Sequence, residues 1–258
     1  SSIMRGFRVF ELCGRATVAL ICLFLLYRAF YPIFQGSGAP LFSSRIHSGS
    51  TQMIFKPMQH KAAGLPHNPL KAIVAPRPIG WIASRGSDNS INLAPYSFFN
   101  AISDDPAMVM FSVQTDSPDH HKDSLRNVEE TGEFVVNIVG EAQFDSMNVS
   151  SGNFPYGDNE FIHAGLEMVD SDSISVPRVG KVPAALECVH YETLHLPRNS
   201  QGGGYSVIIG TVTSIYIDDA VIHDGMVDYA AFMPISRLGY RDYGRSSDIF
   251  QKNRPRQE

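Results

Sequence analysis

The sequence predicts a mainly β protein, a barrel or a sandwich that contains few helices. From residue 53 onward, short apolar runs are separated by glycine, proline, asparagine and aspartate, which is the pattern of short strands joined by turns. Only two segments have the periodicity of a helix. Strands and helices do not alternate regularly, so a sheet built from βαβ units is not expected.

Several segments have the composition of strands, namely residues 79–84, 108–113, 134–139, 184–189 and 205–217. The first is followed by Gly86-Ser87-Asp88-Asn89, which has the residues of a hairpin turn. The last alternates most clearly and places the odd-numbered residues from Tyr205 to Ile217 on one face. Gly202-Gly203-Gly204 before it indicates a hairpin loop. Cys188 lies in the fourth segment, where a packed thiol is expected rather than a reactive one.

Two helices are predicted, over residues 122–130 and 141–147. The first has Asp123 or Ser124 near its start and Gly132 after its end, which are typical helix boundaries. Its start combines backbone amides, the helix dipole, the Lys122 ammonium and the Ser124 hydroxyl, a set that suits a monophosphate. The alternative is an ordinary capped helix on the surface.

The N-terminal residues 1–52 differ from the rest of the chain. Basic residues precede an uncharged run over residues 16–27, and Arg28 separates it from the apolar residues 29–34. This pattern favours a targeting signal, and membrane attachment through residues 16–34 is the alternative. We expect organellar or secretory-route targeting or a membrane anchor. A cytoplasmic location is expected if the leader is foreign to the natural protein, an interpretation that the first methionine at position 4 keeps open.

The remaining chain divides into one folded domain, residues 53–245, and a flexible polar tail, residues 246–258. The bulk properties of the whole chain exclude several function classes. The formal net charge of −5 argues against a nucleic-acid partner, which normally requires a basic surface. No phosphate-binding P-loop, dinucleotide fingerprint or hydrolase elbow occurs. His120 and His121 are adjacent and have no carboxylate at useful spacing, so a metal site is not expected and their role stays open.

The stretch over residues 75–103 interleaves aromatic rings with small polar residues. An extended chain over its second half would place Ser97, Phe99 and Ala101 on one side and the residues between them on the other. Such a segment can offer amides and hydroxyls to the polar edge of a ring while aromatic side chains cover its faces. The alternative is a core loop with two buried phenylalanines.

Together with later segments, this stretch resembles the flavin reductase-like family of FMN-binding split barrels. The similarity begins at Pro76-Arg77-Pro78-Ile79-Gly80-Trp81 and continues through Asn92-Leu93-Ala94-Pro95-Tyr96 and Lys122-Asp123-Ser124, where the family usually has threonine as its third residue. It ends near Ser236-Arg237-Leu238-Gly239, before Tyr240. One departure is the sequence Gly239-Tyr240-Arg241-Asp242-Tyr243, where the family often has a glycine-rich segment. Substrate access near that loop therefore stays open.

The resemblance implies a split β-barrel with FMN near a homodimer interface. It also implies hydride transfer from NAD(P)H to flavin N5, which requires no catalytic side chain from the protein, so none is nominated. A tightly FMN-bound electron-transfer protein reduced by a protein partner is the first alternative, and a non-enzymatic flavin-binding module is the second. Arg77 and Tyr240 are expected to shape the pocket or the dimer contact. The cofactor contacts that the resemblance implies are Trp81, Ile82, Ala83, Ser84, Ser97, Phe98, Phe99, Asn100, Ala101, Ser103, Ser112, Val113, Gln114, Lys122, Asp123 and Ser124.

Overall fold

The computed structural model describes residues 52–116 and 122–255. The predicted leader up to residue 51, the two adjacent histidines at 120 and 121, and residues 256–258 of the predicted tail lie outside these ranges. Within the described part, no helix is long and apolar enough to span a membrane. Residues 246–255 form no helix or strand.

The fold is mainly β, as the sequence predicts, with short helices between the strands. The strands are β1 Arg77–Pro78, β2 Gly80–Arg85, β3 Ile91–Tyr96, β4 Phe99–Asp104, β5 Ala107–Thr115, β6 Glu133–Ile138, β7 Met168–Val169, β8 Arg178–Val179, β9 Ala184–His195, β10 Gly204–Ile217, β11 Ile222–His223, β12 Met226–Val227, β13 Ile235–Arg237 and β14 Tyr243–Arg245. The α-helices are α1 Leu70–Ile73, α2 Asp123–Thr131, α3 Phe144–Ser150, α4 Glu160–His163 and α5 Tyr229–Phe232, with 3-10 turns at Glu141–Gln143 and Asp219–Val221.

Seven strands form one antiparallel sheet in the order β3-β2-β6-β9-β10-β5-β4. The sheet curls on itself, because β4 at one end packs against β2 near the other. The ring of Phe99 lies so close to Gly80 that a Cβ there would stand 2.8 Å from it. Tyr96 at the end of β3 likewise meets Phe111 of β5 with ring centroids 5.2 Å apart. The enclosed side chains form one core.

A second core covers the other face of β2, β6 and β9. Successive residues of β2 alternate between the two cores: Ile82 packs in the barrel interior, whereas Trp81 and Ala83 pack on the outside. The indole of Trp81 is fully buried there, and its N–H donates to Ser150 Oγ of α3 at 2.9 Å. Burial on both faces explains why this strand is continuously apolar.

The helix α2 closes the barrel interior with Leu125 and Val128. It begins after Lys122 and ends at Gly132, which adopts the left-handed conformation with φ of 78°. Both ends therefore agree with the prediction for residues 122–130. The predicted second helix is divided into the 3-10 turn Glu141–Gln143 and α3. The four-residue helices α1, α4 and α5 were not predicted, because four residues hold too little periodicity.

The structure decides between the alternatives for residues 92–103. They are extended rather than a core loop, since they belong to β3 and β4 and only Ser97 and Phe98 interrupt them. The alternation expected from Ser97 onward applies only to Phe99, Asn100 and Ala101, which pair regularly with β5. Ser97 and Phe98 lie outside the strands, and the register shifts after Ala101. In β10, the prediction that the odd-numbered residues from Tyr205 to Ile217 share one face is confirmed: they form the less buried face, whereas Ser206 and Ile208 are buried. Gly210 is on the buried face, where a Cβ would lie 2.4 Å from the ring of Phe134.

Candidate functional site

A cleft opens on the surface where β3 ends and β4 begins, and we call it the strand cleft. Its volume is about 270 Å³. The break at Ser97 and Phe98 creates it, since the chain leaves β2 there and turns to pair with β5. The N–H of Ser112 donates to the Phe98 carbonyl at 2.8 Å and fixes this turn. The lining residues are Lys71, Pro95, Tyr96, Ser97, Phe98, Ser112, Gln114, Lys122 and Tyr205.

The strand cleft combines aromatic walls with positive charge. The rings of Phe98 and Tyr205 have centroids 5.8 Å apart. The hydroxyl of Tyr205 donates to Gln114 Oε1 at 2.9 Å and holds that amide at the cleft wall. Lys71 and Lys122 supply two ammonium groups, and among the described residues no carboxylate lines the cleft. It therefore suits a ligand that joins a flat ring system to an anionic group.

A second cleft, which we call the helix cleft, lies on the other side of Pro95 and Tyr96. Its volume is about 310 Å³, and it shares Pro95, Tyr96 and Lys122 with the strand cleft. Asp123 and Arg126 of α2 line it, and the Arg126 guanidinium lies 4.0 Å from the centre of the Tyr156 ring. The start of α2 thus stands between the two clefts.

A buried hydrogen-bond network fixes the position of Tyr96 relative to α2. The Tyr96 hydroxyl donates to Ser124 Oγ at 3.0 Å, and Ser124 Oγ lies 2.8 Å from the Asn92 amide. With its oxygen toward Ser124, that amide directs its nitrogen at Glu160 Oε1, 3.2 Å away. The other oxygen of Glu160 accepts from the Leu93 N–H at 2.8 Å. The wall between the two clefts is therefore fixed from behind.

Burial changes the acid–base properties of this network. It raises the pKa of Tyr96 to about 12, and Asp123 and Glu160 add to the rise while the Ser124 hydrogen bond opposes it. Burial also raises the pKa of Glu160, against the hydrogen bond from Leu93. Tyr96 therefore stays a neutral hydrogen-bond donor at physiological pH.

The structure brings together only part of the residue set that the sequence predicts. Ser97, Phe98, Ser112, Gln114 and Lys122 line the strand cleft. The side chain of Asp123 faces the helix cleft instead. On the edge strand β4, Asn100 and Ala101 are exposed and Ser103 is partly buried, away from both clefts.

Other predicted residues lie in the core. Trp81, Ile82, Ala83 and Ser84 are buried in β2, which is paired on both edges, and none of them borders either cleft. Ser84 Oγ accepts from Asn127 at 3.2 Å. Phe99 and Val113 are also buried, as is Ser124, whose hydroxyl is engaged behind Tyr96. These residues support the cleft walls, and their predicted direct contact with a cofactor stays a prediction.

Sequence reasoning did not select four residues that line the strand cleft: Lys71, Pro95, Tyr96 and Tyr205. Pro95 and Tyr96 lie inside the segment Asn92-Leu93-Ala94-Pro95-Tyr96 that resembles the family, so the sequence could have indicated them. Tyr205 opens the most clearly alternating strand, which indicated its orientation but not its distant partner. Lys71 stands in a single turn before the first recognised motif, and no local pattern marks it.

Arg77 and Tyr240, which were expected to shape the pocket, lie beside the strand cleft rather than in its lining. The guanidinium of Arg77 is 6.0 Å from the centre of the Phe98 ring. Tyr240 is exposed, and its ring pairs with His67 at 5.6 Å. Across the described residues, no group of histidine, cysteine, aspartate or glutamate is arranged to hold a metal ion.

The sequence is similar to known proteins over most of this domain. The family profile of the flavin reductase-like domain matches residues 74–233. An uncharacterized protein of Aquifex aeolicus is 36% identical over 172 residues, which cover 66% of this chain and 85% of that protein.

Solved structures have the same fold. Nitrilotriacetate monooxygenase component B from Bacillus cereus is 30% identical with a TM-score of 0.68, over 71% of this chain and 90% of that one. A Shewanella frigidimarina protein with a split barrel domain is 19% identical with a TM-score of 0.62, over 72% of this chain and 90% of that one. The second likeness concerns the fold alone. The predicted split β-barrel is thereby confirmed.

Proposed function

Because the chain belongs to the flavin reductase-like family, we propose that it is an FMN-dependent oxidoreductase whose cofactor binds in the strand cleft. The observation that carries the proposal is the lining of that cleft. It joins aromatic rings, hydroxyl and amide groups and two lysines in one place. The similarity to a monooxygenase component supports an oxidoreductase.

The residues present fit FMN in each of its parts. Lys122 stands at the start of α2, where first-turn amides and the helix dipole favour an anion, so this end would hold the phosphate. Ser97, Ser112 and Gln114 offer polar groups for the ribityl chain and the ring edge. Phe98 and Tyr205 supply flat apolar walls. Bound FMN would accept a hydride at its N5.

We further propose NAD(P)H as the hydride donor. The chain's task is then to bind and orient two flat reactants and to keep water away, since positioning contributes much of the rate in such reactions. Tyr96 and Phe98 carry that task, because the buried network fixes Tyr96 and the hydrogen bond from the Ser112 N–H fixes the Phe98 backbone. Neither residue needs to exchange a proton.

Flavin titration tests cofactor binding directly. Adding the purified protein to FMN should quench flavin fluorescence with a dissociation constant in the micromolar range or below, on the order of −8 kcal/mol. Lys122→Met should weaken FMN binding about tenfold and leave riboflavin binding unchanged, because the lysine faces the phosphate. Lys181→Met, a lysine that lines neither cleft, serves as the charge-matched control. Absence of flavin binding at micromolar FMN contradicts the proposal.

Turnover separates the enzyme from the alternatives. Oxidation of NADH or NADPH that rises with added FMN supports a flavin reductase. A yellow protein that retains flavin through purification, and that oxidises neither nucleotide, indicates instead an electron-transfer flavoprotein reduced by a protein partner.

A homodimer is also proposed, because apolar side chains are exposed along β9 and β10. Tyr191 is 65% exposed, Leu194 44% and Ile215 59%. Contact with a second copy of the chain would remove these apolar side chains from water and so stabilise a dimer. Sedimentation equilibrium should give a dimer, and Leu194→Asp together with Ile215→Asp should shift it to a monomer. A wild-type monomer at high concentration contradicts this assembly.

For residues 1–52 we propose a targeting or anchoring leader. The basic flank and the short apolar run support it. Sequencing the mature N-terminus from the native source would find cleavage before Met53 for a targeting signal and an intact leader for an anchor. An abundant soluble form with an intact leader contradicts both.

A further inference from the structure

We propose that Lys71 is a second phosphate-binding residue of the strand cleft, and that Arg77 and the β13–β14 turn position it. The inference rests on the proposed flavin-binding function and adds to it a residue outside the family match, which begins at residue 74.

Lys71 and Lys122 place two positive charges in one cleft of about 270 Å³. The chain as a whole has a net charge of −5, and among the described residues no carboxylate is part of the lining of this cleft. Asp116, which accepts from Gln114 Nε2 at 3.4 Å beside the cleft, offsets part of the charge of the two lysines. A phosphate monoester carries roughly −1.5 to −2 at neutral pH, so it matches the pair. Lysine ammonium groups are common phosphate ligands of this kind.

The single turn α1 that carries Lys71 cannot hold its position by its own packing. It has four residues, none of them buried, and isolated helices of this length are unstable in water. The Lys71 ammonium also lies 5.5 Å from the centre of the Phe98 ring, in the wall of the cleft. Other parts of the chain must therefore fix the turn.

Arg77 provides the first of these attachments. Its side chain is only 6% exposed, and its Nη1 donates to the carbonyls of Lys71 and Val74. Its Nη2 donates to the Leu238 carbonyl at 2.8 Å. One buried guanidinium thus joins α1 to the turn between β13 and β14.

Close packing provides the second attachment. A Cβ at Gly239 would lie 2.4 Å from Ala72 Cβ and 2.8 Å from Ala72 Cα, so only glycine lets the two turns approach this closely. His67 and Tyr240 pair beside this contact with ring centroids 5.6 Å apart. The departure from the family pattern at residues 239–243 therefore coincides with the surface that supports Lys71.

Binding measurements test the assignment without relying on turnover. The probes are FMN, riboflavin, inorganic phosphate with the flavin-free protein, and ADP-ribose with the FMN-loaded protein. Lys71→Met should weaken FMN about tenfold and leave riboflavin unchanged, whereas Lys71→Arg should retain FMN affinity. Lys61→Met, an exposed lysine of the same N-terminal region, controls for the change in net charge.

The probes distinguish the source of the phosphate. Loss of FMN affinity assigns Lys71 to the cofactor, while a tenfold loss confined to ADP-ribose assigns it to the phosphates of a second substrate. Gly239→Ala should displace α1 and so weaken FMN binding as Lys71→Met does. In the Lys71→Met background, Gly239→Ala should cause no further loss of FMN affinity. Equal affinities of the wild type, Lys71→Met and Lys61→Met for all probes overturn the inference. If the wild type binds no FMN, the proposed function fails, and the inorganic phosphate titration still decides the role of Lys71.

Discussion

Replacing Gly80 with alanine is expected to disturb the strand cleft through the fold, although Gly80 lines no part of it. The new Cβ would lie 2.8 Å from Cγ and Cδ2 of Phe99, whereas ordinary contact begins at 3.4 Å. Phe99 Cγ stays in place when the ring rotates about the Cβ–Cγ bond, so that rotation does not remove the overlap. The strand β4 must move away from β2. Overpacking of this kind costs roughly 1–3 kcal/mol.

Urea unfolding at equilibrium measures that cost, and flavin titration measures its effect on the site. We expect FMN affinity to fall as well, because Phe98 precedes Phe99 and moves with β4. In the Phe99→Ala background, which lacks Cγ and Cδ2, the change Gly80→Ala should cost less stability than it does in the wild type. A Gly80→Ala protein with wild-type stability and FMN affinity would refute the reasoning, since the barrel would then not be closed by this contact.

Three further outcomes follow from buried groups. Burial raises the pKa of Glu160 above its ordinary 4.5, so its ionisation destabilises the fold, and the free energy of unfolding falls as the pH rises from 4.5 through the raised pKa. Glu160→Gln, which keeps an oxygen for the Leu93 N–H, should flatten that fall. Burial raises the pKa of Glu187, but hydrogen bonds from the loop containing Ser173 outweigh burial, so the pKa is lowered overall. Glu187→Gln should reduce the free energy of unfolding by roughly 1–3 kcal/mol at neutral pH, and its difference from the wild type should shrink below pH 4.5. Burial raises the pKa of the Cys188 thiol, so mass spectrometry after alkylation should find Cys188 unlabelled in the native protein and labelled after unfolding. Labelling of Cys188 in the native protein at the rate of the unfolded protein would contradict its burial.

The sequence predicts correctly those strands and helices that are specified by residues close together in the chain. The expected strand at residues 79–84 is β2, Gly80–Arg85, and the helix predicted from its caps is α2, Asp123–Thr131. The sequence leaves an extended segment and a core loop as alternatives for residues 92–103. They form β3 and β4 only because each pairs with a strand that stabilises it, β2 in one case and β5 in the other.

The site divides in the same way. Ser97, Phe98, Ser112, Gln114 and Lys122 were predicted from the sequence and meet at the strand cleft. Trp81 and Ser124 are buried instead, Trp81 against α3 and Ser124 behind Tyr96, because a sequence motif does not tell which of its side chains neighbouring elements cover. Tyr205 and Lys71 reach the cleft from distant segments, and no motif records such a contact.

The sequence by itself determined the mainly β class, the position of most long strands, the caps of α2 and the family to which the chain belongs. These depend on composition and spacing within a few residues. Only the tertiary structure decided that β4 closes the barrel over Gly80, that Ser124 supports Tyr96 from behind, and that α1 brings Lys71 to the strand cleft. The physical reason is that close packing and buried hydrogen bonds join residues far apart in the chain, and their partners exist only after folding.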